Sequence, residues 1–147
     1  MRIALDTNIL AYAEGVNDAG RQGQALRVLS ALPVGSLVVP VQVLGELHRV
    51  LTGKMNRTAS AARTAVMSWR DATELRPTTE TALLSAFDLA TDHRLSIWDA
   101  LILSVVAEAE CRYLLSEEFQ NGFTVRGVTV LDPFRAPIDP RLAALLG

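Results

Sequence analysis

The sequence predicts an α/β fold in which a mainly parallel sheet is covered by helices on both faces. Three observations carry this. Four short aliphatic or β-branched runs lack the polar alternation of a half-exposed strand, and longer segments of helical period separate them. The length of 147 residues suits one domain with one full core. Strands apolar on both sides need cover on both sides, and parallel neighbours need right-handed crossovers, which the intervening helices supply.

The first strand is RIAL, residues 2–5, which runs into Asp6, Thr7 and Asn8 as a helical pattern begins over 8–13. A second helix is predicted over 19–32. SLVVP, residues 36–40, is the second strand, bounded by Pro33, Gly35 and Pro40. Pro40 also suits the first turn of a helix over 41–51, whose apolar stripe is Val43, Leu44, Leu47, Val50 and Leu51. Helices follow over 58–73, 79–92 and 97–109, then strands RYLLS (112–116) and VTVL (128–131). Residues 133–147, with Pro133, Pro137 and Pro140, form a C-terminal tail of the single domain 1–147, packed on the surface or reaching a neighbouring subunit.

Composition excludes several classes. Half the residues are hydrophobic, yet no apolar stretch reaches the roughly 18–20 residues of a membrane span. Arg2 is followed by Asp6 before any signal-peptide core forms, so a cytoplasmic location is expected. The one cysteine, Cys111, cannot build a disulfide framework and reads as a buried structural thiol. His48 and His93 are the only histidines, too few for a zinc site, and read as helix-end or surface residues. A net charge of −2 argues against a nonspecific nucleic-acid coat. Residues 49–70 nevertheless carry Arg49, Lys54, Arg57, Arg63 and Arg70 without an acid, so a +5 stretch faces a remainder of −7. That stretch is either a solvated helical face or a dock for a phosphate backbone.

Ligands of parallel sheets collect at the carboxyl ends of the strands, and Asp6, Ser116, Glu117 and Glu118 all follow strands. In SIWDALILSVVAEAE the helix is apolar nearly all round, and Asp99 is its only charge before Glu108. An unpartnered buried carboxylate costs several kcal/mol, so Asp99 must reach solvent, a donor or a cation. Ser96 with Asp99 also reads as a capping box, and on this segment alone capping stands ahead of catalysis. Glu46 borders the apolar stripe of PVQVLGELHRVL, next to Gly45, and alone is an ordinary boundary glutamate.

Asp6, Glu46, Asp99 and Glu118 together say more than each alone. Convergent carboxylates with hydroxyls nearby and no supporting His or Cys suit hard cations such as Mg²⁺ or Mn²⁺. Two such ions roughly 3.5–4 Å apart activate a water and stabilise the leaving oxygen of a phosphodiester.

IALDTNIL, GELHRVL, IWDALILSVVAEAECRYLLSEEF and VTVLDPF, in this order and over nearly the whole chain, resemble the PIN-domain family and its VapC-type toxin ribonucleases. The resemblance implies a three-layer α/β/α sandwich cutting single-stranded or looped RNA to 5′-phosphate and 3′-hydroxyl ends with Mg²⁺ or Mn²⁺. It implies Asp6, Glu46 and Asp99 as metal-binding and catalytic acids, with Thr7, Asn8 and Ser116 as polar support. It also implies a homodimer and a small antitoxin partner lying across the active-site groove. The chain departs from the family at its last acid, where an aspartate is usual and Glu118 stands, with Glu117 a lesser candidate. Arg49, Arg57 and Arg63 are the expected RNA contacts. Two rivals are a non-catalytic PIN-like module that binds RNA or protein, and a phosphatase of the haloacid dehalogenase kind, which also opens on a strand, an aspartate and a threonine. The phosphatase would want an acid where Asn8 stands, and a supporting lysine of which Lys54 is the only candidate.

Overall fold

The first strand feeds two directions of growth. In the computed structural model, which describes all 147 residues, the chain runs β1 (Ile3–Leu5), α1 (Thr7–Ala13), α2 (Ala19–Ala31), β2 (Leu37–Pro40), α3 (Val41–Gly53), α4 (Ala59–Ala72) and β3 (Glu74–Arg76). It continues through α5 (Glu80–His93), α6 (Ile97–Glu108), β4 (Tyr113–Leu115), β5 (Thr124–Val125), β6 (Val128–Leu131) and α7 (Pro140–Leu146). The sheet order is β3-β2-β1-β4-β6-β5. β1 pairs in parallel with β2 on one side, Ile3 opposite Leu37, and with β4 on the other, Leu5 opposite Leu115. The chain thus builds outward to β3 and then crosses back to β4, which makes the gap between the ends of β1 and β4 a topological switch point. Crevices form there because the connections leave in opposite directions.

β1 and β4 are buried throughout, as their uninterrupted apolar sequences require. α1 to α4 pack as one group with α7 against α2, and α5 packs along α6. Ala100 to Val106 of α6 are all buried, which accounts for a helix with almost no polar face. Cys111 joins the core, and burial pushes its thiol up to about 11, an inert group. His93 ends α5 with its exposed ring edge-on to Phe123 at 5.3 Å. No helix is long and apolar enough to cross a membrane.

The four expected strands and six expected helices are present within about two residues at each end. β3, β5 and α7 are additions. β3 is three half-buried residues, Glu74 to Arg76, held by β2 alone, with no periodicity to read. β5 is a two-residue antiparallel strand whose turn places Arg126 and Gly127 at φ of 51° and 81°, the primed hairpin geometry without its favoured Asn-Gly sequence.

α7 lies in the proline-rich tail and is secured by Asp139. Its carboxylate accepts from the Arg141 backbone N–H and guanidinium and from Asn121 Nδ2, each at 2.8 Å, while Leu142 enters the core. The Arg141 bonds, strongest first, hold the Asp139 carboxyl well below the usual carboxylate range. Stability from such a group is present above the ordinary carboxylate pKa and is lost as pH falls below it. Asp139→Ala is expected to cost about 1 kcal/mol, as lost helix caps do. In thermal melts its gap from wild type should close as pH falls below about 4.

Candidate active site

Asp6 ends β1 and is at once the N-cap of α1 and a wall of a pocket. Its Oδ1 accepts from the Thr7 backbone N–H at 2.7 Å, and its Oδ2 accepts from the Ser116 hydroxyl, across the switch point, at 2.7 Å. Asn8 binds this pair from the first turn of α1, with Nδ2 3.2 Å from Ser116 Oγ and 3.5 Å from Asp6 Oδ2. Its Oδ1 accepts the Glu117 backbone N–H at 3.2 Å, and Ser116 Oγ accepts that of Glu118 at 3.0 Å. The three polar residues DTN and Ser116 therefore fix both the carboxylate and the loop that follows β4.

The pocket beside Asp6 has a volume of about 250 Å³ and is walled by Asp6, Glu46, Asp99, Glu117 and Glu118, which come from four segments far apart in sequence. Thr7 Oγ1 donates to Glu46 Oε2 at 2.5 Å, and Gln42 Nε2, one helical turn before Glu46, donates to Oε1 at 2.7 Å. Asp99 sits on the first turn of α6, and the Ser96 hydroxyl accepts its backbone N–H at 3.1 Å. The cap and the pocket position coexist, because the Ser96 hydroxyl takes the main-chain N–H of Asp99 while the residue still lines the pocket.

The two glutamates after β4 differ. Glu117 is engaged by the Tyr12 hydroxyl and by the Arg21 guanidinium, which stacks on Tyr12 and Phe134. Burial and Glu117 push the Tyr12 phenol up to about 12, so it stays a donor. The Glu118 side chain is exposed and has no hydrogen bond or ion pair.

Electrostatically the pocket is strained by burial first and by like charge second. Burial above all, together with Glu46 and Asp99, pushes Asp6 up to about 6 despite the bonds from Ser116 and Thr7. Asp99 is raised by partial burial first, then by Glu46, against the Ser96 bond that lowers it. No cation of the chain pairs with Asp6, Glu46, Asp99 or Glu118.

No three carboxylates stand close enough together to grip one ion among them. The donor chemistry nevertheless fits a hard cation. All the donors are oxygens, and Mg²⁺ characteristically takes one or two carboxylates and keeps several waters.

Of the expected RNA contacts, Arg49 lines the acidic pocket, whereas Arg63 lies in a separate cleft with His48, Ala59 and Ser60. Arg57 is committed elsewhere: it binds Glu14 Oε1 at 2.7 Å and the Glu14 carbonyl at 2.8 Å, with Trp69 Nε1 on the other carboxylate oxygen. Lys54, which nothing in its local sequence singles out, does line the pocket. Gln42 and Tyr12 had a signal in sequence, one helical turn from Glu46 and Asn8 respectively. Arg21 had none.

A parallel sheet whose switch point carries dispersed acids, hydroxyls and no histidine or cysteine defines the class as acid-pocket α/β domains. The PIN domain pattern matches residues 3–118, and the chain belongs to that family. That membership leaves the phosphatase reading without support. Among curated proteins no sequence matches. Among solved structures the chain is similar to Mycobacterium tuberculosis VapC20, described as a sarcin–ricin loop cleaving toxin, at 22% identity and a TM-score of 0.64, covering 76% of this chain and 86% of that one. It is similar to VapBC-1 from nontypeable Haemophilus influenzae at 18% identity and 0.68, covering 92% and 100%. A toxin–antitoxin complex from Klebsiella pneumoniae matches at 17% and 0.68, covering 90% and 98%. At these identities the likeness is one of fold.

Proposed function

We propose that this protein is a metal-dependent endoribonuclease, the toxin of a type II toxin–antitoxin pair. The observation that carries the proposal is the meeting of Asp6, Glu46, Asp99 and Glu118 in one pocket at the switch point of a PIN domain. The similar structures, a sarcin–ricin loop cleaving toxin and toxin–antitoxin complexes, support the substrate class and the small antitoxin partner. A homodimer belongs to the same reading.

Asp6 and Asp99 are the first ligands in this reading, with Glu46 and Glu118 completing the set directly or through water. A bound Mg²⁺ or Mn²⁺ lowers the pKa of a water and neutralises charge on the phosphodiester. The residues of the chain do the positioning. Ser116 and the Thr7 N–H hold the Asp6 carboxylate in one orientation, and Thr7 Oγ1 with Gln42 holds Glu46. Glu117, braced by Tyr12 and Arg21, fixes the loop so that Glu118 is the acid left to act. Arg49 and Lys54, unpaired in the pocket wall, offer charge to phosphate oxygens of the substrate.

The test is cleavage of single-stranded RNA by protein freed of any bound partner. Activity is expected with Mg²⁺ or Mn²⁺ and is expected to vanish in EDTA and return on adding metal. Undiminished cleavage in EDTA would sink the mechanism.

A further inference from the structure

Trp98 is an exposed aromatic beside the acidic pocket that the fold leaves unexplained. It precedes Asp99 on the first turn of a helix that is otherwise buried, yet its side chain is 62% exposed. Burying a large apolar side chain gains roughly 1.5–3 kcal/mol, and here much of that gain is unused. The indole borders an open surface cleft lined otherwise by Gln42, Gly45, Glu46 and Arg49. These four lie at helical spacing on one face of α3. Gln42 Nε2 also reaches the Trp98 carbonyl at 3.4 Å, tying the starts of α3 and α6 together.

Gly45 points the same way. A Cβ there would meet nothing within 4 Å, and its backbone is ordinary helix, so neither packing nor conformation demands glycine. In a helix interior it costs about 1 kcal/mol relative to alanine. What the missing side chain does provide is an open floor opposite an exposed aromatic. Glu46 and Arg49 line both this cleft and the acidic pocket, so the two adjoin across a shared wall, and Arg49 makes no ion pair within the chain.

We propose that the Trp98–Gly45–Arg49 cleft is a nucleobase subsite. An unpaired base of single-stranded RNA stacks on the Trp98 indole over Gly45, while Arg49 takes the phosphate that joins it to the acidic pocket. The placement next to the cleaved bond rests on the nuclease reading above. Charge complementarity selects RNA as the occupant, because a phosphate can bridge the free guanidinium between an aromatic face and a cation-binding pocket. Stacking accepts any base and contributes strongly per base, but only an unpaired base shows its face. The subsite therefore favours single strands and loops without reading a long sequence.

Binding of fluorescein-labelled oligouridylate and oligoadenylate, measured by anisotropy in EDTA so that no cleavage intervenes, tests this. Trp98→Ala is expected to weaken binding about 5- to 100-fold, and Trp98→Phe to keep most of it. Gly45→Leu, which fills the cleft while raising helix propensity, is expected to weaken binding without loss of thermal stability. An abasic nucleotide moved along the strand should weaken wild-type binding at one position, and at that position wild type and Trp98→Ala should bind alike. The proposal is overturned if Trp98→Ala and Gly45→Leu bind the intact strands as wild type does. It is equally overturned if the abasic penalty survives in Trp98→Ala. Sedimentation showing that Trp98→Ala separates two copies or releases a partner while RNA affinity is unchanged would assign the cleft to a protein contact instead. Cleavage with metal but no abasic effect removes the subsite alone; abasic-sensitive binding without any cleavage removes the nuclease reading alone.

Discussion

Asp99→Asn is expected to lower metal-dependent RNA cleavage at least about 100-fold while leaving the fold intact. Removing groups that merely orient metal ligands costs roughly 10- to 100-fold, and a direct ligand should exceed the top of that range. The fold survives because the Ser96 cap receives the Asp99 backbone N–H, which the substitution does not touch. Asparagine also removes a charge that partial burial and Glu46 disfavour. The thermal midpoint should therefore stay at or slightly above that of wild type. Single-turnover cleavage at saturating Mn²⁺, alongside a thermal melt, checks both halves. An active Asp99→Asn enzyme would reduce the residue to its capping role.

Asp6→Asn is expected to stabilise the metal-free protein and abolish cleavage. Burial raises the Asp6 pKa from 3.8 to about 6, so the folded state holds this proton more tightly than the unfolded chain does. A raised pKa of this kind contributes stability fully below about pH 4 and loses it as pH rises through about 6. At neutral pH the ionised, almost wholly buried carboxylate is a burden of up to about 3 kcal/mol, at roughly 1.4 kcal/mol per unit. Asparagine relieves it but must turn an N–H₂ toward Ser116 Oγ, which offsets about 1 kcal/mol. A net gain of about 1–2 kcal/mol at pH 7, shrinking toward pH 4, is the expected result. Adding Mn²⁺ should reverse the order, since ligand binding to the native state stabilises wild type and not the mutant. Denaturant titrations at the two pH values, with and without Mn²⁺, decide the matter.

The destabilisation explains why the site is tied so closely to its surroundings. Thr7, Asn8 and Ser116 spend their hydrogen bonds on Asp6, Glu46 and the loop backbone, so the charge is held in place by donors that stand in the chain within three residues of a strand end. That arrangement holds Asp6 and Glu46, which repel one another, in fixed positions on the pocket wall.

Glu118 shows where sequence and structure part. The order of strand, Ser116, Glu117 and Glu118 marks the end of β4 as a candidate site, but which of the adjacent glutamates is paired within the protein rests on Tyr12 in α1, Arg21 in α2 and Phe134 beyond β6. Arg57 makes the same point: in sequence it belongs to a basic run, and in space it closes on Glu14 and leaves the pocket to Arg49 and Lys54. β3 and β5 were invisible for a related reason, since each is short and is held by a neighbouring strand already in place, whereas α7 carries a local start signal, Asp139 as N-cap followed by Pro140, inside a tail otherwise read as irregular.

By itself the sequence determined the parallel α/β fold, because unbroken apolar strands and helical periods are local patterns imposed by burial. It also marked the acids at the strand ends, because charge in such surroundings has few other uses. Only the tertiary structure decided which charges are spent within the protein and which remain for a ligand. Pairing depends on the approach of segments as distant as Arg21 and Glu117, and the cleft between Trp98 and Gly45 exists only once the starts of α3 and α6 meet.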